Sequence, residues 1–299
     1  MDMVTAPRGA DERTMNDASV WGVKDVTSAK GAADENFPVG SFLISRRMRP
    51  HVHAYYNFAR VIDDMVDNAD LTSAQKIARL RAMGEVIRGE REAPQRADAQ
   101  TAVTLRRHLL ETRVPLETAT DLIEAFCIDA VKNRYETWEE LLHYCRYSAN
   151  PVGHFLLRLH GEDEDTLAPS DALCSALQVL NHLQDAASDL KVLDRCYLPQ
   201  PWLAEEGVRT EDVLLVRSKP GLKRVFDRLL DRVDELNAQA RRLPDLVRDR
   251  RMRLESAVIV ALSHRLAERL RHEDPIADRV KPTRGDGLRA LAWSARYIV

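Results

Sequence analysis

Three aspartates, Asp63, Asp64 and Asp67, fall inside an otherwise apolar helical stretch, YYNFARVIDDMVDN, at residues 55–68. Asp63 and Asp67 are four apart and share one face of a helix, with Asp64 one step round. Carboxylates crowded within two turns repel one another unless a cation is shared among them. Mg²⁺ is commonly held this way, by one or two carboxylates with substrate phosphates completing its shell. Arg60, one turn earlier, would meet a phosphate oxygen or pair with Asp64. The competing reading is a solvated helix face, because 47 acids in 299 residues make such spacings common. Two features weigh against it. The flanks (Tyr55, Tyr56, Phe58, Val61, Ile62, Met65, Val66) are apolar or aromatic, and a second cluster of the same kind occurs in QVLNHLQDAASDL.

In that second cluster Gln178, Asn181, Asp185 and Asp189 are spaced by three and four, so they form one helical stripe. Amides leading into carboxylates suit a wet, ligand-lined wall better than this chain's solvated faces, which are built of Arg, Glu and Asp. Asp129 adds a further acid. Two such helices facing each other would present ions to a diphosphate between them and make its departure feasible at neutral pH. The space beyond must be apolar and dry, so that the resulting carbocation is not quenched at random. Aromatic faces can stabilise that cation, and Phe42, Tyr55, Tyr56, Phe58 and Tyr197 are the candidates.

The elements that must position these residues read as helices throughout. Gly and Pro are scarce (12 and 13), β-branched alternation is nearly absent, and helical periodicity dominates, so the expected fold is all-α. Residues 1–33 are small and polar and are expected to be mostly disordered, with Val20–Trp21 as an anchor. Residues 34–299 read as one domain. Helices are expected at 41–48, then from Pro50 through the first aspartates, from a Thr72 or Ser73 cap to Arg88, and at 99–112 and 115–133. Thr137 and Glu140 form a capping-box pattern. Pro151, in SANPVG, predicts a kink, with small residues that favour close helix packing. Ser170 is expected to cap the helix of the second cluster, and 194–201 reads as a loop. Short helices near 201–206 and 210–216 precede long ones at 219–242 and 245–272 and a tail helix at 286–297. The 219–242 segment carries a continuous apolar stripe from Leu222 to Leu236 and is core.

Composition narrows the function classes. A formal net charge of −3 gives no pull toward nucleic acid. Cys127, Cys145, Cys174 and Cys196 form no Cys-x-x-Cys pair and fit buried, reduced thiols in a cytosolic protein. There is no signal-peptide core and no run of about 18 apolar residues. Peripheral contact with a membrane is left open.

The pairing of ARVIDDMVD with QVLNHLQDAASD, with YCRY and RCYLP in order between and after them, resembles the squalene/phytoene synthase family over residues 36–285. The resemblance implies a single all-α prenyl-synthase domain, two or three Mg²⁺ ions and a prenyl diphosphate substrate. It implies metal ligation by Asp63, Asp64, Asp67, Asp185 and Asp189, and substrate contacts from Ser41, Phe42, Tyr56, Arg60, Asp129, Gln178, Asn181, Arg195 and Tyr197. Within the family, ENFPVGS and YCRYSANPVG resemble the hydroxysqualene synthases. These ionise presqualene diphosphate and trap the rearranged cation with water, so no NADPH is expected, and coupling to an enzyme that makes presqualene diphosphate is implied. Two departures from the commoner family pattern point the same way: Ala149, Asn150 and Pro151 replace an Ala-Gly, and Gln184 replaces an Arg before Asp185. Asn150, whose amide both donates and accepts, is the candidate for holding the attacking water.

Other readings are a presqualene diphosphate or phytoene synthase, which condenses two prenyl diphosphates, and a non-catalytic helical scaffold. A di-iron bundle would need two Glu-x-x-His segments, and the chain has Glu140 and His143 alone. His51 and His53 read as surface or outer residues of the aspartate helix, and His182 as a packing or hydrogen-bonding group.

Overall fold

The computed structural model describes residues 20–21 and 45–298. The expected disorder of 1–33, apart from Val20–Trp21, most of the 41–48 helix, and Ser41 and Phe42 lie outside the described residues. Helix α1, Arg49–Asp67, starts with Pro50 in its first turn. Its apolar stripe (Val52, Tyr55, Phe58, Ile62, Met65, Val66) is buried, which turns the aspartates to the other side. Helix α2, Ser73–Arg88, opens on a complete capping box between Thr72 and Gln75 and closes on Gly89, whose φ of 80° is left-handed. Helices α3, Ala97–Thr112, and α4, Glu117–Asp129, complete the first half. These four helices enclose one apolar cluster, and Trp21, 2% exposed, packs into it. Arg79 Nε donates to the Val20 carbonyl at 3.3 Å, so Val20–Trp21 is an anchor as expected.

The second half is built on α5, Trp138–Ser148, α6, Asn150–Leu159, and α7, Leu167–Gln184. Helix α8, Ala186–Leu193, leads to a strand, β2, Cys196–Pro199, that pairs in parallel with β1, Arg134–Tyr135. A short α9, Gln200–Glu205, precedes the long α10, Pro220–Ala240. Leu222, Val225, Phe226, Leu229, Leu230 and Val233 of α10 are buried, and the helix packs along α7. The chain ends with α11, Leu243–Leu246, α12, Arg250–His272, and α13, Arg284–Ser294, which lies on α12. The fold is an all-α bundle whose interior is divided among three apolar clusters.

Several local expectations are corrected. Pro151 lies at a helix boundary instead of inside one helix: α5 closes at Ala149, whose φ is stretched to −117° within the right-handed helical region, and Pro151 falls in the first turn of α6, where no N–H is needed. Ser170 is not a cap: α7 begins three residues earlier, after a 3₁₀ turn at Glu164–Thr166, and Ser170 is buried. Thr137 does cap α5, but the Glu140 carboxylate accepts from the Glu136 N–H and from Lys132 instead of closing the box. The 194–201 loop contains β2. The 245–272 helix is broken at Val247, and Asp249 caps α12 by accepting from the N–H groups of Arg251 and Met252.

The small residues after Ala149 do serve close packing. A Cβ on Gly153 of α6 would lie 2.4 Å from Ser170 Oγ and 2.8 Å from Cys174 Sγ on α7. Gly153→Ala therefore forces these helices apart and is expected to cost about 1–3 kcal/mol, read as a lower urea midpoint at unchanged slope. A midpoint equal to the parent's would mean that the α6–α7 contact yields freely.

Candidate active site

The two aspartate motifs meet. Arg195, at the end of the segment after α8, donates from a terminal guanidinium nitrogen to Asp67 Oδ1 of α1 at 3.1 Å and from the other to the Asp129 carbonyl at 3.4 Å. Arg195 is placed there by chain geometry. Asp194, at φ 53°, ends α8 in a left-handed turn, and the Cys196 N–H then donates to the Asn133 carbonyl at 2.9 Å, just beyond α4. Asp63, Asp64, Asp67, Asp185, Asp189, Gln178, Asn181, Tyr56 and Arg60 are all partly buried, and none lies on an exposed face.

Four of the carboxylates, Asp63, Asp64, Asp67 and Asp185, pair with three arginines. Arg60 lies 2.7 Å from Asp63 and 3.8 Å from Asp64, so its principal partner is Asp63 and not the Asp64 that spacing suggested. Arg195 holds Asp67, and Arg279 lies 3.0 Å from Asp185. Lys76 of α2 is near enough to Asp67 and Arg195 to feel both charges; burial and Arg195 lower its pKa while Asp67 raises it. Asp64 Oδ2 and Asp129 Oδ1 are buried without a hydrogen-bond partner. Burial lifts the Asp129 carboxyl to about 7, with Arg195 and the Tyr144 hydroxyl pulling it down and Asp67 and Asp63 pushing it up. Asp189 also stands at about 7, raised by burial and by Asp185, lowered by Arg195, and raised again by Asp67. The action of Asp67 on Asp189 is the electrostatic signature of two motifs sharing one site. Burial alone would weaken the charge on Arg195, but Asp129, Tyr197 and Asp67 hold it above its usual range.

Beneath the acids lies a tier of rings. Tyr144 donates to Asp129 Oδ2 at 2.8 Å. The His182 and Tyr197 rings stack at 3.5 Å, and Tyr135 and Tyr144 stand 5.4 and 5.6 Å from Tyr197. Burial and Arg195 depress His182 to about 3, so it is a neutral stacking group that also meets Gln178 Nε2 at 3.2 Å. This agrees with the sequence reading of His182.

A family model described as squalene/phytoene synthase matches residues 31–286. The chain belongs to the squalene/phytoene synthase family. A hydroxysqualene synthase of Rhodopseudomonas palustris is 41% identical over 256 residues, covering 86% of each chain. Another from Zymomonas mobilis is 36% identical, covering 91% of this chain and 92% of its own. Among solved structures, the squalene synthase HpnC from Alicyclobacillus acidocaldarius superposes with a TM-score of 0.68 at 33% identity, over 79% of this chain and 88% of that one. A dehydrosqualene synthase superposes with a TM-score of 0.71 at 20% identity, a likeness of fold.

Against that family background the candidates sort clearly. Asp63, Asp64, Asp67, Asp129, Asp185, Asp189 and Arg195 come together, and Tyr197 lies in the ring tier next to them. The stripe from Gln178 to Asp189 is not one continuous helix, because Asp185 (φ −106°, ψ 9°) occupies the break between α7 and α8. Two aromatic candidates belong to the core instead: Tyr55 donates to the Thr118 carbonyl at 2.6 Å and stacks on Phe155, and Phe58 is fully buried. Asn150 is buried on α6, where its side-chain oxygen accepts from Ser175 Oγ at 3.0 Å. Sequence reading missed Tyr144, Lys76 and Arg279. Tyr144 lies within the YCRY motif and could have been found, whereas Arg279, 94 residues beyond Asp185, carries no local signal.

Both raised carboxyls bind protons more tightly in the folded chain than at the ordinary aspartate value of 3.8. The ligand-free protein therefore loses stability from these groups as pH rises from about 4 through about 7. Asp189→Asn should flatten that slope and raise the urea midpoint at pH 8 above the parent's. An unchanged slope would place Asp189 in solvent.

Proposed function

We propose that the chain is a hydroxysqualene synthase, which converts presqualene diphosphate and water into hydroxysqualene and diphosphate. The observation that supports this reading is that Arg195 pairs with Asp67 of the first motif while both act electrostatically on Asp189 of the second. The identity to hydroxysqualene synthases over most of the chain supplies the choice within the family.

The donor set suits Mg²⁺. It is all oxygen, two buried carboxylate oxygens lack partners, and Asp189 is crowded by other acids. Asp63, Asp64 and Asp67 on one wall and Asp185 and Asp189 on the other would hold two or three ions. Bound there, Mg²⁺ would neutralise the diphosphate and make it a competent leaving group. Mg²⁺ retains waters and takes substrate phosphate oxygens, so it needs only one or two carboxylates per ion. This matches acids that are spread along two walls and divided among three arginines.

The chain's own groups do the remainder. Arg60 and Arg195 are cations placed to meet the diphosphate when their carboxylate partners turn to metal, with Tyr56, Gln178 and Asn181 on the same walls. Partly buried apolar side chains, among them Ala59, Phe126, Leu156 and Leu177, border the clusters and would shield the cation from solvent. The carbon–oxygen bond to diphosphate breaks, the cyclopropylcarbinyl cation rearranges, and a water oxygen bonds to the final cation. The water's proton leaves to the released diphosphate or to solvent, because His182 is too weak a base to take it. Asn150, anchored by Ser175, would hold that water through its free amide N–H₂. No reductant enters this balance.

The pure protein with presqualene diphosphate, Mg²⁺ and no NADPH should give hydroxysqualene by mass spectrometry. Asp67→Asn should lower turnover by about 10²–10³-fold, the size seen when one preorganised charge partner is lost. Asn150→Ala should shift product away from the alcohol. Product from farnesyl diphosphate alone, with none from presqualene diphosphate, would favour the condensing synthases instead.

No helix among the described residues is long and apolar enough to cross a membrane. Peripheral contact fits the exposed Val131, Val192, Leu214, Leu215 and Val216, which lie on segments around α8 and β2. Flotation with anionic vesicles should recover the protein, and Val192→Asp with Val216→Asp should abolish recovery. Equal recovery of both proteins would remove lipid contact at this face.

A further inference from the structure

Among the described residues, one group of three metal-ligating side chains converges away from the aspartates: His51 on α1 with His108 and Glu111 on α3. His51 lies in the first turn of α1, about 18 Å along the helix axis before Asp63. Its Nδ1 is 2.8 Å from His108 Nδ1, with the two rings nearly perpendicular at 82°. One ligand atom from each of the three residues lies within 4.8 Å of the others. His108 and Glu111 are three apart and project from one face of α3. His51 reaches them from α1, which packs along α3.

Two imidazole nitrogens at this separation share a single proton, since only one of them can donate. Burial, His51 and Arg107 lower the His108 pKa, and Glu111 raises it. Imidazole binds a metal in its neutral form, through a ring nitrogen that carries no proton.

We propose that His51, His108 and Glu111 bind a divalent transition metal of the zinc type, which replaces the shared proton and staples the start of α1 to α3. Two imidazoles and a carboxylate are a known three-ligand zinc set, with water in the fourth position. Glu111 is exposed, so that fourth position faces solvent. Zn–N bonds of about 2.0–2.1 Å in tetrahedral geometry require the nitrogens to stand roughly 3.3 Å apart. The rings must part by about half an ångström, within the reach of side-chain rotation. Mg²⁺ prefers oxygen donors and would leave this site to softer ions. The site is thus chemically separate from the aspartate walls, although both lie on α1.

The test uses the full chain, stripped with chelator and titrated with Co²⁺ and then Zn²⁺. One equivalent of Co²⁺ should give the visible absorption of a tetrahedral site, and Zn²⁺ should displace it. The band should persist in an Asp63→Asn/Asp185→Asn variant. It should disappear in His51→Ala and His108→Asn, with affinity falling by about a hundredfold or more, at the upper end of or beyond an outer-ligand loss. Glu111→Gln should weaken it less. His108→Asn retains a hydrogen-bonding side chain, and its unchanged circular dichroism and Mg²⁺-dependent turnover without zinc would show an intact fold. The proposal is overturned if no stoichiometric Co²⁺ or Zn²⁺ binding occurs, or if the band survives both histidine substitutions or vanishes with the aspartate pair.

Discussion

One buried guanidinium organises this molecule. Arg195 is 8% exposed and lies between Asp67 of the first motif and the end of α4, so that three distant parts of the chain converge on it. A buried cation without partners is costly, and so is a crowd of buried carboxylates without cations. Each requirement satisfies the other. The parallel pairing of β1 with β2 makes no sheet of consequence. Its role is to turn the chain after α8 so that Arg195 points inward, while Arg134 binds Asp194 at the same corner.

The distribution of charge shows what the fold sacrifices for its site. Asp129 and Asp189 resist ionisation because burial and other acids oppose it, and Asp64 and Asp129 each keep a buried oxygen without a partner. A chain selected for stability alone would replace some of these acids with amides or apolar groups. On the proposed function, their presence makes sense as ligands for divalent cations that bind with the substrate. Arg60, Arg195 and Arg279 serve as their counter-ions. The thiols add nothing to this chemistry: all four are free, and burial pushes Cys127 to about 11 and Cys174 to about 12, which keeps them protonated.

Helix identity was legible because apolar periodicity and capping residues are local signals. Pro50, Thr72 and the stripe on α10 placed their helices to within a residue or two. The aspartate motifs were legible because acids among apolar flanks conflict with a plain helix. Interruptions were harder to see. Asp185 sits in the α7–α8 break, and nothing in QVLNHLQDAASDL is a helix breaker. That break arises from tertiary contacts, since Gln184 is drawn to the Val280 carbonyl and Asp185 to Arg279. Tyr55 and Phe58 failed as cavity residues for a related reason. Periodicity shows that a helix has an inner face but not whether that face meets another side chain or a ligand.

Gln184 shows how a departure from the family pattern is absorbed. The resemblance drawn from sequence implies an Arg at this position, so Gln184 reads in sequence as a lost cation beside the second motif. In the fold the cation is present all the same, because Arg279 places a guanidinium 3.0 Å from the Asp185 carboxylate. Gln184 is buried, where an unpaired arginine would be expensive, and its amide instead secures the Arg279–Val280 segment through the Val280 carbonyl. Gln184 thus holds in place the segment that supplies the cation. The cation beside Asp185 therefore arrives on the segment between α12 and α13 instead of on the motif's own helix.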